Sequence, residues 1–224
     1  MKKIEFREAG IADAEWTERR MDGISWLFFD IGSTLVDETR VYDDIFQKIA
    51  AAAGVSTEYV KTLAIGFYRQ NKRGHREVMR LLGVEYPEWS PQYEELYPDT
   101  VNCLQALAKK YHLGIIANQI PGAEKRLEAM GIRRYFDVIV SSAEEGVEKP
   151  DPRIFRLALE RAGCVPEQAV MIGDRIDNDI IPAKALGMKT ARIRQGVGKY
   201  WNIRGESETP DYEVNSLTEL LSIF

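Results

Sequence analysis

Three carboxylates and one lysine carry the chemistry this sequence offers. Asp30 ends an apolar run, Ile24 to Phe29, and is followed by a Gly32-Ser33-Thr34 turn. Asp174 and Asp179 stand in Gly173-Asp174-Arg175-Ile176-Asp177-Asn178-Asp179, directly after a second apolar run. Lys149 lies in the stiff segment Glu148-Lys149-Pro150-Asp151-Pro152, whose prolines fix the entry to a following helix and let the lysine aim its charge. Carboxylates gathered at strand ends repel unless a cation sits between them. Hard oxygen ligands with open positions suit Mg²⁺, which takes one or two carboxylates and keeps water or phosphate oxygens. Lys149 would meet a phosphate oxygen as a point charge. Asp30 is then placed to be an in-line nucleophile that forms an aspartyl phosphate, with electrostatic positioning supplying most of the acceleration. An Asp closing a strand is equally at home as a turn residue, so the case rests on the other strand ends.

Those strand ends follow from an α/β alternation. From Thr100 onward, helix Thr100–Tyr111 precedes strand Leu113–Ala117, which ends at Asn118. Helix Gly122–Met130 precedes strand Val138–Val140, helix Pro152–Ala162 precedes strand Ala169–Ile172, and helix Asp179–Leu186 precedes strand Thr190–Ile193. A last strand at Tyr212–Val214 leads into helix Leu217–Phe224. This pattern predicts a doubly wound parallel sheet, with ligands bound beyond the carboxyl ends of the strands. Residues 38–97 have a different texture. Tyr42, Ile45, Phe46, Ile49 and Ala53 recur at helical spacing up to Gly54, Ser56 caps a second helix, and a third runs from His75 to Leu82 before Gly83. Residues 84–98 show prolines and aromatics and no strand pattern. The expected organisation is an N-terminal extension at 1–23 with a candidate helix over 12–21, a core at 24–37 and 98–224, and a helical insertion at 38–97.

These motifs, in this order, resemble those of the haloacid dehalogenase-like superfamily of phosphohydrolases. Asp30 with Thr34-Leu35 resembles the first motif, Ala117-Asn118 the second, Lys149-Pro150 the third, and Gly173-Asp174 with Asp179 the fourth; the insertion resembles the family's small cap. The resemblance implies a Rossmann-like core and a Mg²⁺ cofactor. It makes Asp30 nucleophile and metal ligand, Asp174 a direct ligand, Asp179 a ligand or its supporting partner, and the main-chain carbonyl of Gly32 a further ligand. Lys149 would hold the phosphate, with residues 117 and 118 at its side.

The chain departs from the pattern at two positions. The family's second Asp, its general acid and base, is Gly32 here, and such catalysis is worth about 10²–10⁴-fold. Ala117 stands where a hydroxyl usually meets the phosphate. Three readings are therefore open. One is a Mg²⁺-dependent phosphatase acting on a small phosphate ester, with Asp37, Asp177, an insertion residue or the substrate carrying the proton. Another is an impaired relative that binds a phosphorylated ligand or a protein. The third is a metal-free dehalogenase.

With 224 residues, a net charge of −5 and 45% hydrophobic residues, the chain can bury one sizeable core and is a poor match for nucleic acid. Cys103 and Cys164 share no ligand spacing and read as free, buried thiols. No apolar run reaches membrane-span length and the first ten residues are charged throughout, so the expectation is a cytoplasmic protein, monomer or homodimer. The basic cluster Lys72-Arg73-Gly74-His75-Arg76 reads as a solvated turn rather than a substrate contact. Tyr42, Tyr68 and Trp89 read as packing within the insertion. Arg192 and Arg194 read as surface residues, Arg175 as exposed or paired with a nearby acid, and neither His75 nor His112 as a base.

Overall fold

The computed structural model describes residue 21 and residues 23–224. Apart from Met21, the candidate helix over 12–21, Trp16 included, lies outside the described residues. The apolar run forms β1 (Trp26–Phe29), every residue of which is buried. It pairs in parallel on both sides, with β4 (His112–Ala117) and β6 (Ala169–Gly173). With β5 (Val138–Ser141), β7 (Lys189–Ile193) and β8 (Tyr212–Val214), the six strands run in the order β5-β4-β1-β6-β7-β8, all neighbours parallel. This is the doubly wound sheet expected from the alternation. Successive side chains of β1 serve opposite faces. Leu27 and Phe29 pack with Leu113, Ile115, Val170 and Ile172 beneath α4 (Thr100–Leu107), α5 (Ala123–Ala129) and α9 (Leu217–Leu220). Trp26 and Phe28 pack with Ile116 and Met171 against Ile154, Phe155, Ala158 and Leu159 of α7 (Pro152–Ala162).

Between β1 and β4 the chain builds α1 (Thr39–Ala53), α2 (Thr57–Tyr68) and α3 (Gly74–Leu82). The punctuation is local: Gly54 and Gly83 take left-handed conformations after α1 and α3, and the Ser56 side chain accepts the Tyr59 N–H at 3.2 Å. The apolar faces of these helices form a third cluster that reaches Ile176 and Trp201 on the core. One expectation needs correcting. Residues 84–98 hold a strand after all, β3 (Glu95–Leu96), which pairs antiparallel with β2 (Val36–Asp37). Two residues are too few to show an alternation, and their partner lies some sixty positions away.

The expected helix over 179–186 begins instead as a π turn, Ile176–Ile180, and becomes α-helical only at α8 (Ile181–Ala185). Pro182, which has no N–H to donate, sits where the wide turn gives way to α8. Arg192 is also corrected: it is 2% exposed, and donates to the carbonyls of Gly198 and Trp201, both at 2.8 Å, and to Glu213. It ties the loop after β7 to the sheet. Cys103 is buried, Cys164 partly so, and both are free. Among the described residues no helix is long and apolar enough to cross a membrane.

Candidate active site

Asp30, Asn118 and Asp174 directly follow or end the carboxyl edges of β1, β4 and β6, the three central strands. The shared edge opens into a cavity of about 410 Å³. Asp30, Asn118, Lys149 and Asp174 line it from the core side, and Glu38, Tyr42, Arg73, His75, Arg76 and Trp89 from the insertion.

Lys149 is the centre of the floor. Its ammonium lies 2.9 Å from Asp30 Oδ1 and 2.6 Å from Asp179 Oδ1, with the side chain 1% exposed. Burial works against the charge, but Asp179 and Asp30 more than offset it and hold the lysine above its ordinary pKa. Asn118 sets the lysine's backbone: its amide donates to the Lys149 carbonyl at 2.8 Å and accepts the Lys149 N–H at 2.7 Å. Asp179 reaches Lys149 by folding back under the strand end, and its second oxygen accepts the Arg175 N–H at 3.0 Å. Only a glycine fits beside it, because a Cβ on Gly173 would stand 2.3 Å from Asp179 Oδ2.

Oxygens of Asp30, Asp174 and Asp179 all fall within 4.8 Å of one another. Asp174 is 2% exposed, and among the described residues no hydrogen bond or salt bridge reaches its carboxylate. Burial, and then the charges of Asp179 and Asp30, push it well above the ordinary carboxylate range. Asp179 is raised to about 6, mainly by burial. One ammonium does not balance three buried or half-buried carboxylates. A cation with hard-oxygen preference fits this donor set, and Asp30 and Asp174 are the residues that would hold it.

Gly32, without a side chain, leaves room that another residue fills. The backbone turns back at once: Ser33 N–H donates to Val36 O at 2.8 Å, Val36 N–H donates to Ile31 O at 3.0 Å, and Ser33 takes a φ of 55°. The reversal brings Glu38, at the start of α1, against Gly32. A Cβ built on Gly32 would lie 2.3 Å from Glu38 Oε1 and 2.8 Å from Oε2. Glu38 is buried, accepts the Ser33 hydroxyl at 3.2 Å, and is raised to about 8 by burial and then by the charges of Asp30 and Glu94.

Of the residues singled out in the sequence, Asp30, Lys149, Asp174 and Asp179 converge, with Gly32 in the cavity wall and Asn118 behind the lysine. Ala117 is fully buried in the sheet core and lies outside the cavity wall. Asp37 accepts the Thr39 N–H at 2.8 Å and Asp177 pairs with Arg175, so neither candidate proton carrier lines the cavity. Arg73, His75 and Arg76 do line it, against the expectation of a solvated turn; Lys72 alone is turned out, over the Phe67 ring. Tyr68 packs as expected, whereas Tyr42 and Trp89 both pack and face the cavity. His75 is bonded through Nδ1 to Tyr68 Oη at 2.8 Å, and burial, then three nearby arginines, lower it to about 3, so it stays neutral. Glu38 escaped notice in the sequence. Its signal is faint: an acid shortly after a side-chain-less position in the turn.

Residues 24–187 match the family model for haloacid dehalogenase-like hydrolases. The chain belongs to that family. This haloacid dehalogenase-like hydrolase is 33% identical to the glyceraldehyde 3-phosphate phosphatase of Pyrococcus furiosus, over 91% of this chain and 94% of that protein. It is 37% identical to the Methanopyrus kandleri protein of the same name, over 62% of this chain and 61% of that one. The chain spans about six-tenths of the length of the first curated relatives it matches. Among solved structures, a HAD phosphatase from Thermococcus onnurineus superposes with a TM-score of 0.62 at 28% identity, over 89% of this chain and 97% of that one. An L-2-haloacid dehalogenase from Xanthobacter autotrophicus shares the fold, with a TM-score of 0.65 at 21% identity over 89% and 98% of the two chains.

The raised carboxylates give this hydrolase a pH signature. An acid that binds its proton more tightly when folded contributes stability that is fully present below its unfolded pKa, near 4. That contribution is lost as pH rises through the folded value. In chelator-treated buffer, unfolding free energy should therefore fall between about pH 4 and about pH 8, the span set by Asp174, Asp179 and Glu38. Lys149, raised, keeps its contribution throughout that window. Asp174→Asn should flatten the fall and raise stability at pH 8, because it removes a carboxylate that burial disfavours when charged. Urea denaturation across that pH range checks both.

Proposed function

We propose that this chain is a Mg²⁺-dependent phosphohydrolase that acts on a small phosphate ester through an aspartyl phosphate on Asp30. The observation that carries the reading is the pairing of a cavity-facing Asp30 with buried Lys149, beside an Asp174 whose carboxylate receives no hydrogen bond or salt bridge among the described residues. The names of the relatives, phosphatases acting on glyceraldehyde 3-phosphate among them, support the same class of substrate.

Asp30, Asp174 and the carbonyl of Gly32 would hold Mg²⁺, which when bound supplies charge neutralisation between the phosphate and the carboxylates. Lys149 binds a phosphate oxygen and holds Asp30 in line. An Asp30 carboxylate oxygen bonds to phosphorus as the ester P–O bond breaks. Water then cleaves the acyl phosphate and restores Asp30. The insertion, residues 38–97, acts as a cap that walls the cavity and excludes bulk water. Arg73 and Arg76 line the cavity from the insertion, with Arg175 also in the wall, and Arg73 is lowered by burial and by the charges of the other two. Crowded guanidiniums favour a substrate that carries a second anionic group distal to the phosphate.

Release of 4-nitrophenol from 4-nitrophenyl phosphate should require Mg²⁺ and vanish in Asp30→Asn. Failure to form either phenol or a phosphoryl adduct, seen by intact mass, would remove the phosphatase reading in favour of a binding protein. Arg73→Ala should raise KM about tenfold for a phosphate ester bearing a carboxylate, the worth of one charge-assisted hydrogen bond, and change it much less for phenyl phosphate. Steady-state kinetics on both substrates decides this.

A further inference from the structure

The motif position that ordinarily carries the proton-transfer side chain is Gly32, yet a carboxylate occupies the space such a side chain would enter. Glu38 Oε1, Cδ and Oε2 stand 2.3, 2.7 and 2.8 Å from the point where a Cβ on Gly32 would lie. The placement is built. The turn from Ile31 to Val36 folds the chain back, the short β2–β3 ladder fixes it, and Glu38 follows β2 directly. The Ser33 hydroxyl holds Oε2 at 3.2 Å, and Glu38 makes no salt bridge among the described residues. The residue is 8% exposed, and the surface it keeps lines the same cavity as Asp30 and Lys149. A buried carboxylate without a counter-ion, beside a nucleophile, is poorly explained by stability alone.

We propose that Glu38 is the general acid and base of this site, a role moved from the second motif position onto the start of α1. The inference rests on the phosphohydrolase reading above. In the first step the bond from Asp30 to phosphorus forms and the ester P–O bond breaks, while the Glu38 proton passes to the departing oxygen, which leaves as an alcohol. In the second step a water oxygen bonds to phosphorus and the bond to Asp30 breaks. The water's proton returns to Glu38, and free phosphate leaves.

An aspartate at 32 would displace the Glu38 carboxylate from where it stands, so the paired change Gly32→Asp with Glu38→Ser returns an acid to the ordinary motif position and clears its space.

The test uses the full chain with Mg²⁺ and two substrates, phenyl phosphate, whose leaving group needs a proton, and 4-nitrophenyl phosphate, whose leaving group needs it far less. Glu38→Gln should lower kcat on phenyl phosphate about 10²–10⁴-fold. Its first turnover on 4-nitrophenyl phosphate should survive as a burst, leaving a phosphoryl adduct on Asp30 in the intact mass because water attack has lost its base. The Gly32→Asp, Glu38→Ser pair should recover at least tenfold over Glu38→Ser alone. A Glu38→Gln kcat within threefold of wild type on both substrates, with no adduct, overturns the inference and leaves the phosphatase reading intact. Wild type that yields neither phenol nor adduct overturns that reading and this inference with it. Should Glu38→Gln not fold, as judged by circular dichroism, the paired variant decides: no recovery over Glu38→Ser overturns the assignment.

Discussion

The buried ammonium of Lys149 is the constraint around which this molecule is arranged. A lysine that is 1% exposed survives only with partners, and here Asp30 and Asp179 supply two, at 2.9 and 2.6 Å. Each partner imposes structure of its own. Asp30 must sit at the end of the central strand. Asp179 must turn back beneath β6, which needs the π turn and a residue without Cβ at 173. Lys149 must arrive from the opposite side on a loop clamped by Asn118. Burial and the charges of Asp179 and Asp30 leave Asp174 raised well above the ordinary carboxylate range, and it is there that the proposed cation would bind.

The insertion completes the electrostatics from above. Its Arg73 and Arg76 share the lining of a cavity of about 410 Å³ with the carboxylates of the core. A phosphate bridging the two would be met by cations on both sides, whereas an uncharged ligand would leave both sets of charges unmatched. The same stretch of chain that leads into the insertion carries Glu38, so the cap and the proton-transfer position are set by one backbone reversal.

Much of this was legible in the sequence because it is written locally. The apolar run before Asp30, the left-handed glycines at 54 and 83, the Ser56 cap and the strand-helix alternation after Thr100 are each decided within a few residues. The convergence of Asp30, Lys149, Asp174 and Asp179 followed from strand ends meeting at one sheet edge. What escaped depends on partners far away in the chain. The Val36–Asp37 ladder needs Glu95–Leu96, Arg192 is buried because Gly198, Trp201 and Glu213 receive it, and Arg73 faces the cavity because α2 and α3 pack as they do. Glu38 was invisible for the same reason: its neighbour Gly32 is set by the tight reversal between them, and Asp37, the more obvious acid, spends its carboxylate on the Thr39 N–H.

The claim that everything else leans on is that the folded site carries one cation too few and holds protons in its place. The most direct measurement is the proton count on Mg²⁺ binding, by isothermal titration calorimetry at pH 6 in two buffers of different ionisation enthalpy. The account predicts a release of about one proton per Mg²⁺ bound, because the carboxylates must be deprotonated to act as ligands. Mg²⁺ binding with a heat independent of the buffer, or binding that persists unchanged in Asp174→Asn, would contradict it.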